Sequence, residues 1–417
     1  MDKSSKGSCM SKSLFPAVAA AVALATSMVV STSVVAAEGP QVSKAAAKML
    51  KASSDAFKAK NYNECVKKAQ EGDSVAGHTP FDSYVANQLL ASCYQGLGNT
   101  NEAVKAIEAQ IDSGFMAPAQ QAQYTKSLAV IYYQQKNYAK SVDLGTRLIK
   151  SGSGDNEIYT VVGQGLYLQN KYGEAAKFIA DYIKDQEAKG QQPKEQTLIL
   201  LRSAYERGEN NAGSADTLEK LVMYYPKKEY WNNLLYSVRK LKLTDRQTLQ
   251  VYRLMIATQT MQQASDYAEM AELAISGGNP GEAQKVLEAG NAANVFTEQR
   301  DKDRTARMLA SLKDSTAKDL ASLPKIEAEA KTAKTGDVDV AVGNAYLSYG
   351  QDDKAIAALN QGITKGGLKN LADAQLTLGI AQVRAGDKAS ALKSFKAVKT
   401  EDPATTRIAK LWSLYVQ

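Results

Sequence analysis

Along most of the chain the apolar positions keep helical spacing, and the pattern they make is itself repeated. In a 34-residue register opened at Ala372, Leu378 stands at position 7, Gly379 at 8, Gly386 at 15, Ala391 at 20, Phe395 at 24 and Pro403 at 32. Two antiparallel helices that cross closely need this arrangement: a large residue beside small ones, a turn between the helices and a stop after the second. A register opened at Gly336 fills the frame with Gly343, Tyr346, Gly350, Ala355 and Leu359, and one opened at Glu195 with Leu201, Tyr205, Leu218, Leu221 and Pro226. Earlier registers open at Asn156 (Gly163, Tyr172, Ala175), Ala122 (Leu128, Ala129, Tyr132, Tyr138) and Tyr84 (Leu90, Ala91, Tyr94, Gly98, Ala103). A frayed first register near Ala46 keeps Tyr62 and Cys65, and a middle one at Ala264 holds Met270, Ala271, Gly278, Ala283 and Leu287.

These starts lie 38, 38, 34, 39, 69, 72 and 36 residues apart. The two wide gaps are each about two repeats long, which predicts two degenerate helical hairpins, one around 229–260 and one around 297–334 that Pro324 interrupts. The fold expected is all-α: a right-handed α-solenoid of helix-turn-helix repeats. Its parts would be an N-terminal array over 44–228, a degenerate middle segment over 229–335, and a C-terminal pair over 336–417. In the last part, 405–416 forms a capping helix whose apolar side is Ile408, Leu411, Trp412 and Tyr415.

On these residues the chain resembles the tetratricopeptide repeat superfamily over nearly all of its length after the first 40 residues or so, a resemblance specific for fold. A narrower likeness rests on Tyr225-Pro226-Lys227-Lys228-Glu229-Tyr230-Trp231, Asp266-Tyr267-Ala268-Glu269-Met270-Ala271, Leu378-Gly379-Ile380-Ala381 and the terminal Leu411-Trp412 helix. In these the chain is similar to periplasmic repeat proteins associated with TonB systems. That likeness implies an accessory of a TonB, ExbB and ExbD complex driving outer-membrane uptake.

The N-terminus changes the picture of where the repeats work. Lys3, Lys6 and Lys12 precede an uncharged apolar run over 14–30, and Val35, Ala36 and Ala37 follow it. This is the layout of a secretory signal peptide over 1–37, cleaved after Ala37, and Met10 is an alternative start. The rival is an uncleaved segment that anchors the chain in the inner membrane. Cys9 lies before the apolar run, so it is not placed as the lipidated cysteine of a lipoprotein, and a periplasmic product without stable membrane insertion is expected. Loss of residues 1–37 takes away three lysines and Asp2, lowering the formal charge from +7 to +5. Lysines are interspersed with nearly as many acids, which leaves no basic stripe for nucleic acid.

Candidate chemistry is sparse. His78, the single histidine, sits in a Gly77-His78-Thr79-Pro80 loop and is expected to be an exposed loop residue. Ser315 with Lys318 and Ser322 with Lys325 have serine–lysine nucleophile spacing but lack the S-D-N and K-T-G motifs that accompany it. No phosphate loop, dinucleotide fingerprint, H-E-x-x-H pair or calcium loop occurs. The chain is therefore expected to be no enzyme and to need no cofactor or metal. Cys65 and Cys93 fall on helices that pack together in such solenoids; they are either a disulfide or two small core residues.

What packing leaves undetermined is the concave face of the first helices. The frame assigns to it Gln88, Ser92 and Gln95, then Lys126, Tyr133 and Gln134, then Thr160, Gln164 and Tyr167, then Ser203, Glu206 and Arg207. The C-terminal pair offers Asn344, Ser348, Val383 and Arg384 instead. A polar groove dotted with tyrosines suits an extended peptide or a partner helix. The expected partners are other envelope proteins or peptides, with an adaptor role in outer-membrane, peptidoglycan or polysaccharide assembly as the alternative to the TonB role.

Overall fold

The computed structural model describes residues 40–417, so the signal segment expected over 1–37 lies outside the described residues. These form twenty helices, no strand among them, in two compact units that divide between Asn210 and Asn211. In unit 1 the helices are α1 (Lys44–Lys58), α2 (Tyr62–Ser74), α3 (Pro80–Gly96), α4 (Thr100–Asp112), α5 (Pro118–Gln134), α6 (Tyr138–Lys150), α7 (Asn156–Leu168), α8 (Tyr172–Ala188) and α9 (Glu195–Arg207). Unit 2 holds α10 (Asn211–Tyr224), α11 (Lys228–Arg239), α12 (Asp245–Ala257), α13 (Ala264–Ser276), α14 (Pro280–Ala292) and α15 (Gln299–Thr332). It continues with α16 (Asp337–Tyr349), α17 (Asp352–Lys365), α18 (Leu371–Arg384), α19 (Lys388–Ala397) and α20 (Pro403–Val416). None of the described helices is long and apolar enough to cross a membrane.

Two positions of the repeat explain why this sequence makes hairpins. Position 15 in all eight registers carries a positive φ: Lys60, Gly98, Lys136, Asn170, Glu209, Gly278, Gly350 and Gly386. A left-handed residue there ends the first helix, and an Asn or Asp often follows to cap the second. The side chains of Asn61, Asn99, Asn137 and Asp387 accept from the backbone N–H three residues on. At position 20 stands a small buried residue every time: Cys65, Ala103, Ser141, Ala175, Ser214, Ala283, Ala355 and Ala391. Small residues at 8 and 20 let the two helices of a hairpin approach closely. Gly379 is so near the Phe395 ring that a Cβ added there would lie 2.3 Å from it. In the register opened at Ala122 the residue at position 20, Ser141, has its hydroxyl satisfied across the hairpin, donating to the Ala129 carbonyl at 2.7 Å.

Unit 1 is a run of neighbours: each helix meets the next, and α1 also meets α3, α5 meets α7 and α7 meets α9. In unit 2, α11 and α12 supply the degenerate hairpin expected around 229–260, with Leu234, Leu235, Val251 and Leu254 almost wholly buried. The hairpin expected over 297–334 is corrected to one continuous helix, α15, about 50 Å long at 1.5 Å per residue. No residue of the stretch takes the left-handed conformation that ends the first helix elsewhere, and Pro324 removes one N–H from the helix without reversing the chain. Thr305, Leu312, Leu323 and Ala330 form its buried stripe. Tyr349 donates to Asp319 at 2.6 Å and Tyr346 to Glu327, fastening α15 to α16.

The C-terminal helix buries Ile408, Leu411 and Trp412, the last stacked on Phe395 at 5.7 Å. It packs against α19 and α18 as a cap does, but it also meets α12 and α10.

Candidate functional site

The first helices α5, α7 and α9 of unit 1 are joined by side-chain rungs. Tyr133 and Tyr167 occupy the same repeat position 34 residues apart. Tyr133 on α5 donates its phenol to Gln164 Oε1 on α7 at 2.8 Å, and the Tyr167 phenol on α7 is 2.8 Å from Ser203 Oγ on α9. Each ring also packs against the tyrosine that opens the next helix, Tyr133 on Tyr138 at 5.6 Å and Tyr167 on Tyr172 at 5.3 Å. Burial pushes the Tyr133 phenol up to about 12, with Tyr138 adding to the effect, so it stays protonated and able to donate at neutral pH. Lys126 completes the bracing by pairing with Asp155 at 2.6 Å and Glu157 at 2.7 Å at the start of α7.

The rungs divide the candidate residues. Ser92 and Gln164, expected on the groove surface, are instead buried, because Ser92 turns back to the Gln88 carbonyl at 3.1 Å and Gln164 receives Tyr133. Thr160 likewise spends its hydroxyl on the Asn156 carbonyl at 2.8 Å. Gln88, Lys126, Tyr133, Tyr167 and Ser203 are half-buried, while Gln95, Gln134, Glu206 and Arg207 are exposed. Glu206 is braced by Arg202 at 2.8 Å. Gln134, Glu206 and Arg207 are thus mounted on helices, α5 and α9, whose spacing about α7 is fixed by hydrogen bonds that the sequence frame did not reveal. The signal available was the 34-residue recurrence of Tyr133 with Tyr167 and of Tyr138 with Tyr172.

A second feature is a pocket of unit 2 that is open to solvent. A cavity of about 520 Å³ is walled by α12, α13, α16 and α18 and the loop before α18. Asp245, Asp337 and Asp373 on its wall balance Arg246, Arg253 and Lys369. Arg253 is buried and makes a two-pronged pair with Glu282 at 2.8 and 2.6 Å, while its third nitrogen donates to Gln250 at 3.1 Å. Burial alone would lower the Arg253 pKa, but the Glu282 carboxylate outweighs it and holds the guanidinium above its usual value. Ser348 is buried and accepts from the Glu282 backbone N–H at 2.8 Å. Asn344 stands half-buried in the wall, Val383 is half-buried, and Arg384 pairs with Asp352 at 3.1 Å.

His78 is exposed, its Nδ1 2.9 Å from the Val75 carbonyl oxygen. Ser315 and Ser322 donate back into α15, to the Ser311 and Asp319 carbonyls, so the serine–lysine spacings leave the hydroxyls spent within the helix. Cys65 and Cys93 are fully buried and brought together as a bonded pair, with Cα atoms 5.9 Å apart.

Tetratricopeptide repeat family models match residues 84–113 and residues 373–405. With the hairpins that flank both matches and keep their register, the chain is a tetratricopeptide-repeat protein, an all-α helical-repeat solenoid of the class that serves protein–protein contacts. Among solved structures, a tetratricopeptide repeat protein from Parabacteroides merdae is 11% identical over 70% of this chain and 99% of its own, with a TM-score of 0.25. The C-terminal part of a repeat protein from Cytophaga hutchinsonii is 14% identical over 63% of this chain and 95% of its own, with a TM-score of 0.29. The TPR2AB domain of yeast Sti1 in a pHSP90 complex is 12% identical over 72% of this chain and 99% of its own, with a TM-score of 0.25. No curated protein matches the chain.

Proposed function

We propose that the chain is an exported protein-binding scaffold of a bacterial envelope compartment, not an enzyme, and that it receives partners on the first-helix face of unit 1. The observation that carries this reading is the pair of tyrosine rungs, Tyr133 to Gln164 and Tyr167 to Ser203, which hold three helices in fixed relation while Gln134, Glu206 and Arg207 face solvent. Preorganised helices with polar side chains and half-buried aromatic rings suit an extended peptide or a partner helix, because little ordering is left to be done on binding. The leader pattern over 1–37 supports the periplasm as the compartment. In its most specific form the reading is an accessory of a TonB, ExbB and ExbD complex, supported by the residue runs around Tyr225 and Asp266 and the terminal helix.

Capture from envelope extract on the protein, identified by mass spectrometry, tests this. Recovery of inner-membrane motor components is the expected result, weakened roughly tenfold by Arg207→Glu combined with Gln95→Glu. Recovery of wall or outer-membrane assembly enzymes in their place would sink the TonB reading and leave the scaffold reading standing. Capture that ignores the double variant would move the binding face elsewhere.

A further inference from the structure

Several surface lysines of unit 1 are answered by an acid on their own helix: Lys68 by Glu71 at 2.8 Å, Lys105 by Glu102 at 2.6 Å and Lys189 by Asp185 at 2.6 Å. The first helix departs from this. α1 and the turn after it hold Lys44, Lys48, Lys51, Lys58 and Lys60 against Asp55 alone, a net charge of +4, where the whole of 38–417 carries +5. All five lysines are exposed, and none of their ammonium groups has an ion pair or hydrogen bond among the described residues.

The helix sorts these charges onto one side. Ala46, Leu50 and Ser53 are its buried stripe, and α1 packs by it on α2 and α3. At 3.6 residues per turn, Lys44, Lys48, Lys51 and Lys58 lie about 150° round from that stripe, in a row about 21 Å long. The arrangement works against the helix in water. Lys44 with Lys48, and Lys48 with Lys51, are like-charge neighbours, and Lys44 stands in a first turn that holds no acid, where the helix dipole favours an anion. An end helix of a solenoid needs a polar outer face, but mixed charges supply one without this repulsion. A straight row of free ammonium groups fits an extended anionic surface. The sequence places such a surface nearby: the apolar run over 14–30 ends 14 residues before Lys44, a reach of at most about 50 Å even fully extended.

We propose that α1 lies along the anionic face of a phospholipid bilayer, with Lys44, Lys48, Lys51 and Lys58 on the lipid phosphates, and so holds unit 1 at the membrane. The choice of a bilayer among polyanions rests on the exported reading above. Supplied vesicles test the lysine row separately from the capture of partners.

The full chain carrying Cys9→Ser and Ala47→Cys is labelled at 47, an exposed position beside the lysines, with a polarity-sensitive dye; Cys65 and Cys93 are buried as a pair. The dye reports contact of α1 with lipid whether the leader is cut or kept. Vesicles of phosphatidylglycerol and phosphatidylethanolamine are expected to shift its emission at about 0.05 M salt, and vesicles of phosphatidylcholine alone are not. The lipid needed for half the shift should rise at least tenfold at about 0.5 M salt, and likewise when Lys44, Lys48, Lys51 and Lys58 are replaced by Gln, which is nearly as good a helix former. Replacing four exposed lysines on and just after α19, Lys388, Lys393, Lys396 and Lys399, by Gln should leave it unchanged. An equal shift on neutral vesicles, indifference to the α1 replacements, or an equal loss on the α19 replacements overturns the proposal. A shift with polyglutamate or DNA but none with the anionic vesicles overturns the bilayer as the partner.

Discussion

At the scale of single residues, one tight constraint is the helix crossing at position 8. Gly379→Ala is expected to cost about 1–3 kcal/mol, because Phe395 is a buried ring that cannot yield without moving Trp412 stacked on it; thermal unfolding measures it. The buried pair in unit 2 responds differently to its two ways of being changed. Glu282→Gln strands the Arg253 charge and is expected to cost about 3–5 kcal/mol, whereas Arg253→Met with Glu282→Leu together is expected to cost far less. Urea midpoints of the single and double variants separate these outcomes. For the cysteines, Cys93→Ser should lower stability by about 3 kcal/mol through the loosened 28-residue separation, and reductant should do the same to the parent chain. The glycines at position 15 and the alanines and Cys65 at position 20 were legible in the sequence because each answers a local need, a turn or a close crossing, whereas Lys60, Lys136, Asn170 and Glu209 take the same turn without announcing it. The partners of Tyr133, Tyr167 and Arg253 were not, because which side chain lies opposite depends on the offset between repeats, and that offset varies from 34 to 39 residues in unit 1.

At the scale of elements, Asp82 ties two helix starts together. Its carboxylate accepts from the Thr79 N–H at 2.8 Å within its own cap and from the Ser43 N–H at 2.8 Å at the start of α1. Burial pushes this carboxyl up, but the bonds from Ser43 and Thr79 outweigh it and hold it below the usual aspartate value. A carboxyl lowered on folding contributes stability that is present above its unfolded pKa of about 3.9 and is lost as the pH falls below that. Acid titration of unit 1 should therefore show a loss beginning near pH 4 that Asp82→Asn removes, followed by circular dichroism at 222 nm. α15 carries the opposite lesson. The two-repeat gap before Gly336 read as a hairpin because length alone was counted, while the stretch from Gln299 to Thr332 holds neither glycine nor asparagine and runs on as one helix through Pro324. Pro324→Ala is expected to raise stability by about 1–3 kcal/mol, since the ring withholds one helical hydrogen bond at a position nothing else requires to bend; a fall in melting temperature would mean that the proline shapes the helix against α16.

At the scale of the whole molecule, the two units should unfold by different rules. Unit 1 has only near-neighbour contacts, so a cavity such as Ile179→Ala is expected to speed hydrogen exchange in α7 to α9 and leave α1 to α3 unchanged. Unit 2 is joined end to end, so Leu411→Ala should speed exchange in α10 and α12 as well as in α18 and α19. A solenoid was legible from the repeat, but its closure in unit 2 was not. Glu219 and Lys410 stand 191 positions apart, and no local pattern announces such a pairing. The closure also fixes an order of events during synthesis. Each hairpin of unit 1 can settle once its neighbour has emerged, but α10 must wait for a partner that leaves the ribosome about 10–40 s later at ordinary elongation rates. For that interval the Glu219 carboxylate and the Trp231 edge have nothing of their own chain to meet, and a message cut short before Pro403 would leave them bare for the life of the protein.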